Sequence, residues 1–287
     1  MNPAVDVETA WKGVLSRIRD FPTLPTIVHK VTELINSPTT SAKDIEATVV
    51  KDQVLTGKLL RLVNSPFYGF PQKITTISRA VGIIGFDALR NLVFSTSVIR
   101  LFKSSGSSNF RPVEFWKHSI GTALAAKEIS RRMGEKQVEE YFVGGLMHDI
   151  GKLVHDEHFG IGFRQACKVA ALKDILLREA ELEVLHFTHD QTGGLLLTQW
   201  NLPPSLIAMV THHHAPAQAK DYWKEAGIIH LADILCRAKG LGNGGDNKIP
   251  LLDQATWNHL GLTLGDVEQV MRGIEQDFGE ATAFLME

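Results

Sequence analysis

A histidine followed directly by an aspartate, His148-Asp149, lies in the run Phe142-Val-Gly-Gly-Leu-Met-His-Asp-Ile-Gly-Lys152. Adjacent imidazole and carboxylate groups can give two ligands to one metal ion from a single turn of backbone. That pair suits divalent iron, manganese or zinc better than magnesium or calcium. Lys152 follows Asp149 at i+3, which on a helix puts both on one side, where the ammonium can meet a phosphate held by the metal. A lone His-Asp dipeptide is common. Its weight comes from the order of further candidate ligands around it: Glu114, His118, His189, His213, His214 and Asp233.

The elements that must position these residues read as helices. Glu114 and His118 are four residues apart and stack on one helical face. His148-Asp149 closes a helix whose apolar run, Phe142, Val143, Leu146 and Met147, marks it as buried. A buried carboxylate beside an imidazole is costly unless neutralised, and a metal would neutralise it. His189 falls within a helical segment expected over 175–200, and Gly193-Gly194 one turn later admits close approach of a neighbour. His213 and His214 follow a helix end and precede Pro216, which predicts a place at a loop mouth. Asp233 sits in the apolar run 228–235 and needs a partner there: a metal, a histidine, or Arg237 one turn on. Taken singly, Glu114 is a solvated acid at a helix start and Lys152 an ordinary helix-end cation. His155, His158, His186, His230 and His259 read as structural or surface residues. His212 stays open, because three consecutive histidines cannot all face one site.

Other helices are expected over 8–19, 26–35, 77–84, 86–102, 112–132, 138–154, 161–171, 204–211, 226–237, 255–260 and 264–278, with two more starting near Ser41 and Val54. Ser41 with Asp44 forms a capping-box pattern. Residues 64–69 read as a turn cluster, and residues 240–245 as a glycine-rich loop. The small polar run over 103–109 is the best linker candidate. The expected organisation is an N-terminal helical lobe over 1–105, a metal-binding helical lobe over 110–240 and a C-terminal helical extension over 241–287.

The 287 residues are enough for a substantial core. A formal net charge of -2 gives no global pull toward nucleic acid or anionic membrane. Cys167 and Cys236 show no paired-motif spacing and read as core thiols of a reducing compartment. The N-terminus lacks a basic segment followed by an apolar run, so no signal peptide is expected. No apolar stretch approaches the ~20 residues of a membrane span. A cytoplasmic location is therefore expected. The 12 histidines crowd into the second half, which is the one compositional pointer to function.

The order of these residues resembles the HD superfamily of metal-dependent phosphohydrolases, with His148-Asp-Ile-Gly-Lys152 similar to its signature motif. Further blocks narrow the resemblance to the HDOD family, the HD-related output domains of bacterial signalling. They are Leu24-Pro25, Asp52 with Leu55 and Leu59, Asn64-Ser-Pro-Phe-Tyr68, Ile77-Ser-Arg-Ala80 with Ile84-Gly85, Trp200-Asn-Leu-Pro203, His213-His-Ala-Pro216 and Ala232-Asp233. The resemblance implies an all-α fold, an N-terminal helical lobe packed against an HD-type lobe, and a regulatory role, since HDOD proteins commonly lack much of the metal site. This chain keeps the ligand types. Beside the HD-GYP branch, the cyclic di-GMP phosphodiesterases, His118, His148, Asp149, His189, His213, His214 and Asp233 find counterparts. Glu114 matches the extra acid of trinuclear members, and Lys152 the phosphate-contacting lysine. The Gly-Tyr-Pro motif is absent: the chain runs His214-Ala-Pro-Ala-Gln-Ala-Lys-Asp-Tyr-Trp223. The resemblance therefore implies metal binding without implying cyclic di-GMP hydrolysis.

From this follows the expected site: two or three divalent ions, iron or manganese first and zinc as an alternative. Asp149 would bridge, with His118, His148 and Asp233 on one ion and His189, His213 and His214 on the other. Glu114 would complete a third position or stand behind the ligands. A water between the ions would be acidified to a hydroxide nucleophile, and Lys152 would stabilise phosphoryl charge. Asp149 and Lys152 are thus the expected catalytic pair. Two functions compete. One is a signalling module with signalling protein partners. The other is a working phosphohydrolase acting on a nucleotide, cyclic dinucleotide or other phosphoester. Nucleic acid and membrane are not expected partners.

Overall fold

The computed structural model describes residues 21–64, 70–102 and 111–286, apart from the side chains of residues 284 and 285. The helix expected over 8–19, the linker expected over 103–109, and the turn residues after Asn64, Phe67 and Tyr68 among them, lie outside the described residues. Among the described residues there is no strand, and the fold is all-α.

The described chain begins with α1 (Thr26–Asn36), α2 (Ala42–Val49), α3 (Gln53–Val63), α4 (Ile77–Ile84) and α5 (Phe86–Leu101). Ser41 and Asp44 form the capping box of α2, with the Ser41 amide donating to Asp44 Oδ2 at 2.8 Å. Asp52 caps α3 by accepting from the Leu55 amide at 2.9 Å. Its other oxygen meets Arg100 at 2.8 Å, which ties the start of α3 to the end of α5. Asn64 donates to the Ile74 carbonyl at 2.7 Å and accepts from the Ile74 amide at 2.6 Å, so one amide side chain clamps the chain to itself. Gly85, at φ +85°, makes the corner of 120° between α4 and α5. Every residue from Leu92 to Ile99 in α5 is buried, as a helix enclosed on all sides must be. No single helix among the described residues is long and apolar enough to cross a membrane.

There follow α6 (Pro112–Arg132), α7 (Val138–Met147), α8 (Gly151–His158), α9 (Gly160–Lys173), α10 (Leu177–Val184), α11 (His189–Gln199), α12 (Pro204–His212), a 3-10 helix (Pro216–Tyr222) and α13 (Trp223–Ala238). Pro112 occupies the first turn of α6, where its missing N–H costs nothing. Then come α14 (Gln254–Leu260) and α15 (Leu264–Met286), the latter packed along α6. One apolar core takes in residues from Phe21 to Ala281 and includes Val270 and Ile274 of α15.

Two expected helices are each divided. The segment 138–154 breaks at residues 148–150 into α7 and α8. The segment 175–200 breaks before His189: His186 takes φ +68°, which no helix interior tolerates, and the Thr188 amide is met by Gln191 Oε1 at 3.1 Å to start a new helix. His189 therefore opens α11 rather than lying mid-helix. Two glycines make the His148-Asp149 turn fit. A Cβ on Gly145 would lie 2.6 Å from Ala123 Cα of α6, and one on Gly151 would run into the His189 carbonyl. With hydrogen at both positions, backbone meets backbone and the turn is pressed between α6 and α11.

Candidate metal centre

Four helices converge on this turn. His118 comes from the first half of α6, His148 and Asp149 from the α7–α8 turn, and His189 from the first residue of α11. His213 and His214 follow α12, and Asp233 lies on α13. Two groups of ligand atoms result, each with all its atoms within 4.8 Å of one another: His118, His148 and Asp149, and Asp149, His189, His213 and His214. Asp149 belongs to both. Its Oδ2 faces His118 Nε2 at 3.5 Å and His148 Nε2 at 3.3 Å. Its Oδ1 faces His189 Nε2 at 3.1 Å and His213 Nε2 at 3.8 Å. Asp233 Oδ1 adds to the first group, 3.1 Å from His118 Nε2 and 3.8 Å from His148 Nε2.

The imidazoles are aimed from behind. His148 Nδ1 donates to the Gly145 carbonyl at 2.7 Å, and His213 Nδ1 to the Val210 carbonyl at 2.8 Å. His189 Nδ1 donates to Glu181 Oε2 at 2.6 Å. A proton committed to Nδ1 leaves the Nε2 lone pair facing the centre, the tautomer a ligand needs. His214 Nε2 lies 3.1 Å from His189 Nε2.

The donor set fits a divalent cation. His118 Nε2, His148 Nε2, His213 Nε2 and Asp149 Oδ1 are buried without a hydrogen-bond partner. Leaving one such atom unsatisfied costs about 1–3 kcal/mol, and the four are divided between the two groups that share Asp149. A cation in each group would meet them. Burial, reinforced by charged neighbours, holds His213 and His214 well below the ordinary imidazole range, hence neutral. Burial acts to raise the Asp149 carboxyl, but the charges of His148 and Lys152 outweigh it and keep it ionised. Asp233 is held low against burial by Arg237 and His118. Metal binds neutral imidazoles and ionised carboxylates; His118 and His189, which their neighbours hold above the ordinary imidazole range against burial, would each give up a proton on binding it.

Lys152 is fully buried, its Nζ 2.6 Å from Asp149 Oδ2. Glu114 stands apart from both groups: its carboxylate pairs with Lys117 at 3.0 Å and is one-third exposed. His213 is buried rather than placed at a mouth, because α13 packs over it: His230 Nδ1 donates to the His213 carbonyl at 2.8 Å. His214 forms the one partly exposed edge of its group.

Several contributing residues have no local signal in the sequence. Glu181, fully buried on α10, accepts from the His189 backbone amide at 2.9 Å as well as its ring, and its Oε1 meets His155 Nδ1 at 3.1 Å. His155 and His230, expected to be structural or surface residues, are both buried: His230 bonds the His213 carbonyl, and His155 meets Glu181, one step behind His189. Arg237, legible at i+4 from Asp233, donates from Nε to Asp233 Oδ1 at 2.8 Å. The same guanidinium reaches Asp246 at 3.0 Å in the loop after α13.

The HDOD domain model matches residues 21–216 of the chain. An HDOD domain protein of unknown function from Geobacter sulfurreducens superposes with a TM-score of 0.81 at 26% identity, covering 98% of this chain and 99% of that one. A structure named "Putative signal transduction protein" from Marinobacter aquaeolei superposes at 0.77 with 19% identity, over 98% of this chain and 66% of the other. An uncharacterised protein of Treponema pallidum is 26% identical over 227 residues, 78% of this chain. The chain spans 44% of that relative's length. With the family model covering most of the chain and the fold matched end to end, the chain belongs to the HDOD domain family.

Proposed function

We propose that the chain is a signalling output module built around a metal centre of two divalent ions, iron or manganese before zinc, and that its partners are signalling proteins. One observation carries this reading. The donor atoms of Asp149 and its histidines are complete enough to hold metal, yet His118, His148, Asp149, His189, His213 and Asp233 are each at most 2% exposed. A centre so enclosed suits a structural or sensory role better than turnover of a bulky substrate.

In this reading His118, His148 and Asp233 would hold one ion and His189, His213 and His214 the other, with Asp149 serving both. Glu114 keeps its surface pairing with Lys117 and takes no part in holding metal. Glu181 and the Gly145 and Val210 carbonyls fix the ring orientations.

A second reading, a metal-dependent phosphohydrolase acting on a nucleotide, cyclic dinucleotide or other phosphoester, is favoured by Lys152. Its ammonium, fully buried beside Asp149 Oδ2, puts a positive charge where a phosphoryl oxygen would enter. Bound divalent ions would supply charge to polarise the phosphoryl group and to lower the pKa of water. Lys152 would bind and orient the phosphoryl oxygens, and Asp149 would hold both halves of the site in register.

The two readings separate on turnover. Metal-loaded protein is assayed against phosphomonoesters, nucleotides and cyclic dinucleotides. No turnover from a preparation with confirmed metal supports the regulatory module. Turnover that Lys152→Met abolishes while metal content stays unchanged supports the hydrolase.

A further inference from the structure

The loop between α13 and α14 carries glycine at 240, 242, 244 and 245, and it does not stand out into solvent. Gly244 is buried, and a Cβ built on it would lie 3.1 Å from Asp149 Oδ2 and 3.2 Å from both Lys152 Nζ and His118 Cδ2. The backbone of this loop therefore rests on the centre, on the face where Lys152 and the outer oxygen of Asp149 meet. Gly242, at φ +68°, lies against the His118 amide and the Glu114 carbonyl so closely that any side chain would collide. Glycine is required at 242, and a Cβ at 244 would fit only if the side chains of Asp149, His118 and Lys152 gave way by a few tenths of an ångström.

The loop is pinned at two ends. At the first, the Asn243 amide donates to the Glu114 carbonyl at 2.9 Å, fastening it to the start of α6. At the second, Asp246 accepts from Arg237 Nη1 at 3.0 Å, from the Leu177 amide of α10 at 3.0 Å and from the Lys248 amide at 2.9 Å. Arg237 Nη1 also donates to the Lys248 carbonyl at 3.1 Å. Lys248 pairs with Asp174 at the end of α9. Arg237 and Asp246 side chains are 7% and 4% exposed, so this pair is an interior fastening rather than a surface ion pair. Arg237 uses Nε for Asp233 and Nη1 for Asp246. One guanidinium thus joins a metal-side carboxylate to the loop.

We propose that residues 241–248 form a latched strap that closes the Lys152 face of the centre and decides what reaches it, with Asp246 as the latch and Arg237 as the positioning residue coupling the latch to Asp233. Closed, the strap leaves no room at Asp149 Oδ2 for a phosphoester, and only the His214 edge stays partly open. Lifted, it exposes Lys152 and the first half of the centre together. Three glycines within it, with Gly240 just before, let the segment hinge, and the latch is a set of hydrogen bonds that one carboxylate controls. This rests on the metal-centre reading above, and it supplies the means by which a signal would open that centre.

The test uses the full chain and two variants, Asp246→Ala and Asp246→Asn. The second keeps an acceptor for the Leu177 amide and loses the charge facing Arg237, so it serves if the first fails to fold. Hydrogen exchange over 241–248 reads the strap without reference to metal. Loss of bound manganese or iron to EDTA reads access to the centre. The expected result is exchange about tenfold or more faster in the strap, the effect of losing a charge-assisted hydrogen bond, with α6 and α11 still protected. Metal loss to EDTA accelerates in parallel, and Asp246→Asn falls between wild type and Asp246→Ala. Strap exchange within about twofold of wild type in a folded variant overturns the latch. Faster strap exchange with unchanged metal loss overturns the gating of the centre. If no metal binds, the metal-centre reading fails by itself, and the exchange measurement still decides whether the latch exists.

Discussion

The two halves of the centre share Asp149 and differ in how they are held. Around His189, His213 and His214, orientation comes from groups behind the rings: the buried Glu181 carboxylate and the Val210 carbonyl. The edge at His214 stays partly open. Around His118, His148 and Asp233, a charged network runs from ligand to loop, Asp233 to Arg237 to Asp246, and the glycine strap lies on top. The His189 half is built to hold its ligands still. The His118 half is built so that holding a ligand and closing a loop are one act. Dissecting the centre therefore requires changes that strike the shared residue, then each half alone.

The largest effect is expected at the shared residue. Asp149→Ala removes an oxygen from both halves and should lower metal content to background, read by elemental analysis of purified folded protein. A variant that keeps one full half would show that the halves do not depend on a common bridge.

The halves should then separate on stability. Asp233→Ala leaves the buried Arg237 charge with Asp246 as its remaining carboxylate partner and is expected to cost about 3 kcal/mol, in the range for breaking a buried pair. His214→Gln, at the partly open edge, removes a ligand from the other half with little effect on melting temperature. Each should retain metal in the unaffected half. Equal melting temperatures for the two variants would erase the distinction drawn between a charged, strapped half and a passively oriented one.

Glu181→Gln probes the orienting groups. It keeps the shape of the side chain and weakens the bond to His189 Nδ1, so metal affinity should fall about 10–100-fold in that half only. Competition against a chelator of known affinity measures it.

A smaller, pH-dependent effect sharpens the same point in metal-free protein. Burial acts to lower the His189 pKa, but the Glu181 charge overrides it and raises the value to about 9 from the ordinary 6.5. A raised pKa stabilises the fold fully below 6.5, and that contribution is lost as pH rises through about 9. The melting temperature of metal-free protein should therefore decline between those values, and Glu181→Gln should flatten the decline. An identical slope in the variant would remove Glu181 as the cause.

Much of this centre was legible in the chain because its residues carry local signals. His148-Asp149 with Lys152 three residues on, Glu114 and His118 at helical spacing, and an acid in an apolar run at Asp233 all announce themselves. Of these, the structure turns Glu114 outward to Lys117 and brings the others together. The fold class followed from helical periodicity, and the start of α6 at Pro112 and the corner at Gly85 from single residues with fixed backbone preferences. What stayed hidden is non-local. Glu181 precedes His189 by eight residues across a chain reversal at His186, so no helical spacing links them. The glycine-rich loop was visible as a loop, but its seat on Asp149 depends on contacts over roughly a hundred residues of sequence, which periodicity does not encode. The same reversal explains why one helix was expected over 175–200: the apolar pattern continues through it, while a single left-handed residue ends the helix.

The central claim is that this one carboxylate holds two metal-binding halves together. The most direct measurement is metal content by inductively coupled plasma mass spectrometry on untagged protein purified without chelator. About two equivalents of iron or manganese, as in two-metal sites, falling to background in Asp149→Ala, is the predicted result. No metal in the wild-type protein, even after anaerobic reconstitution with iron, manganese and zinc, would contradict it.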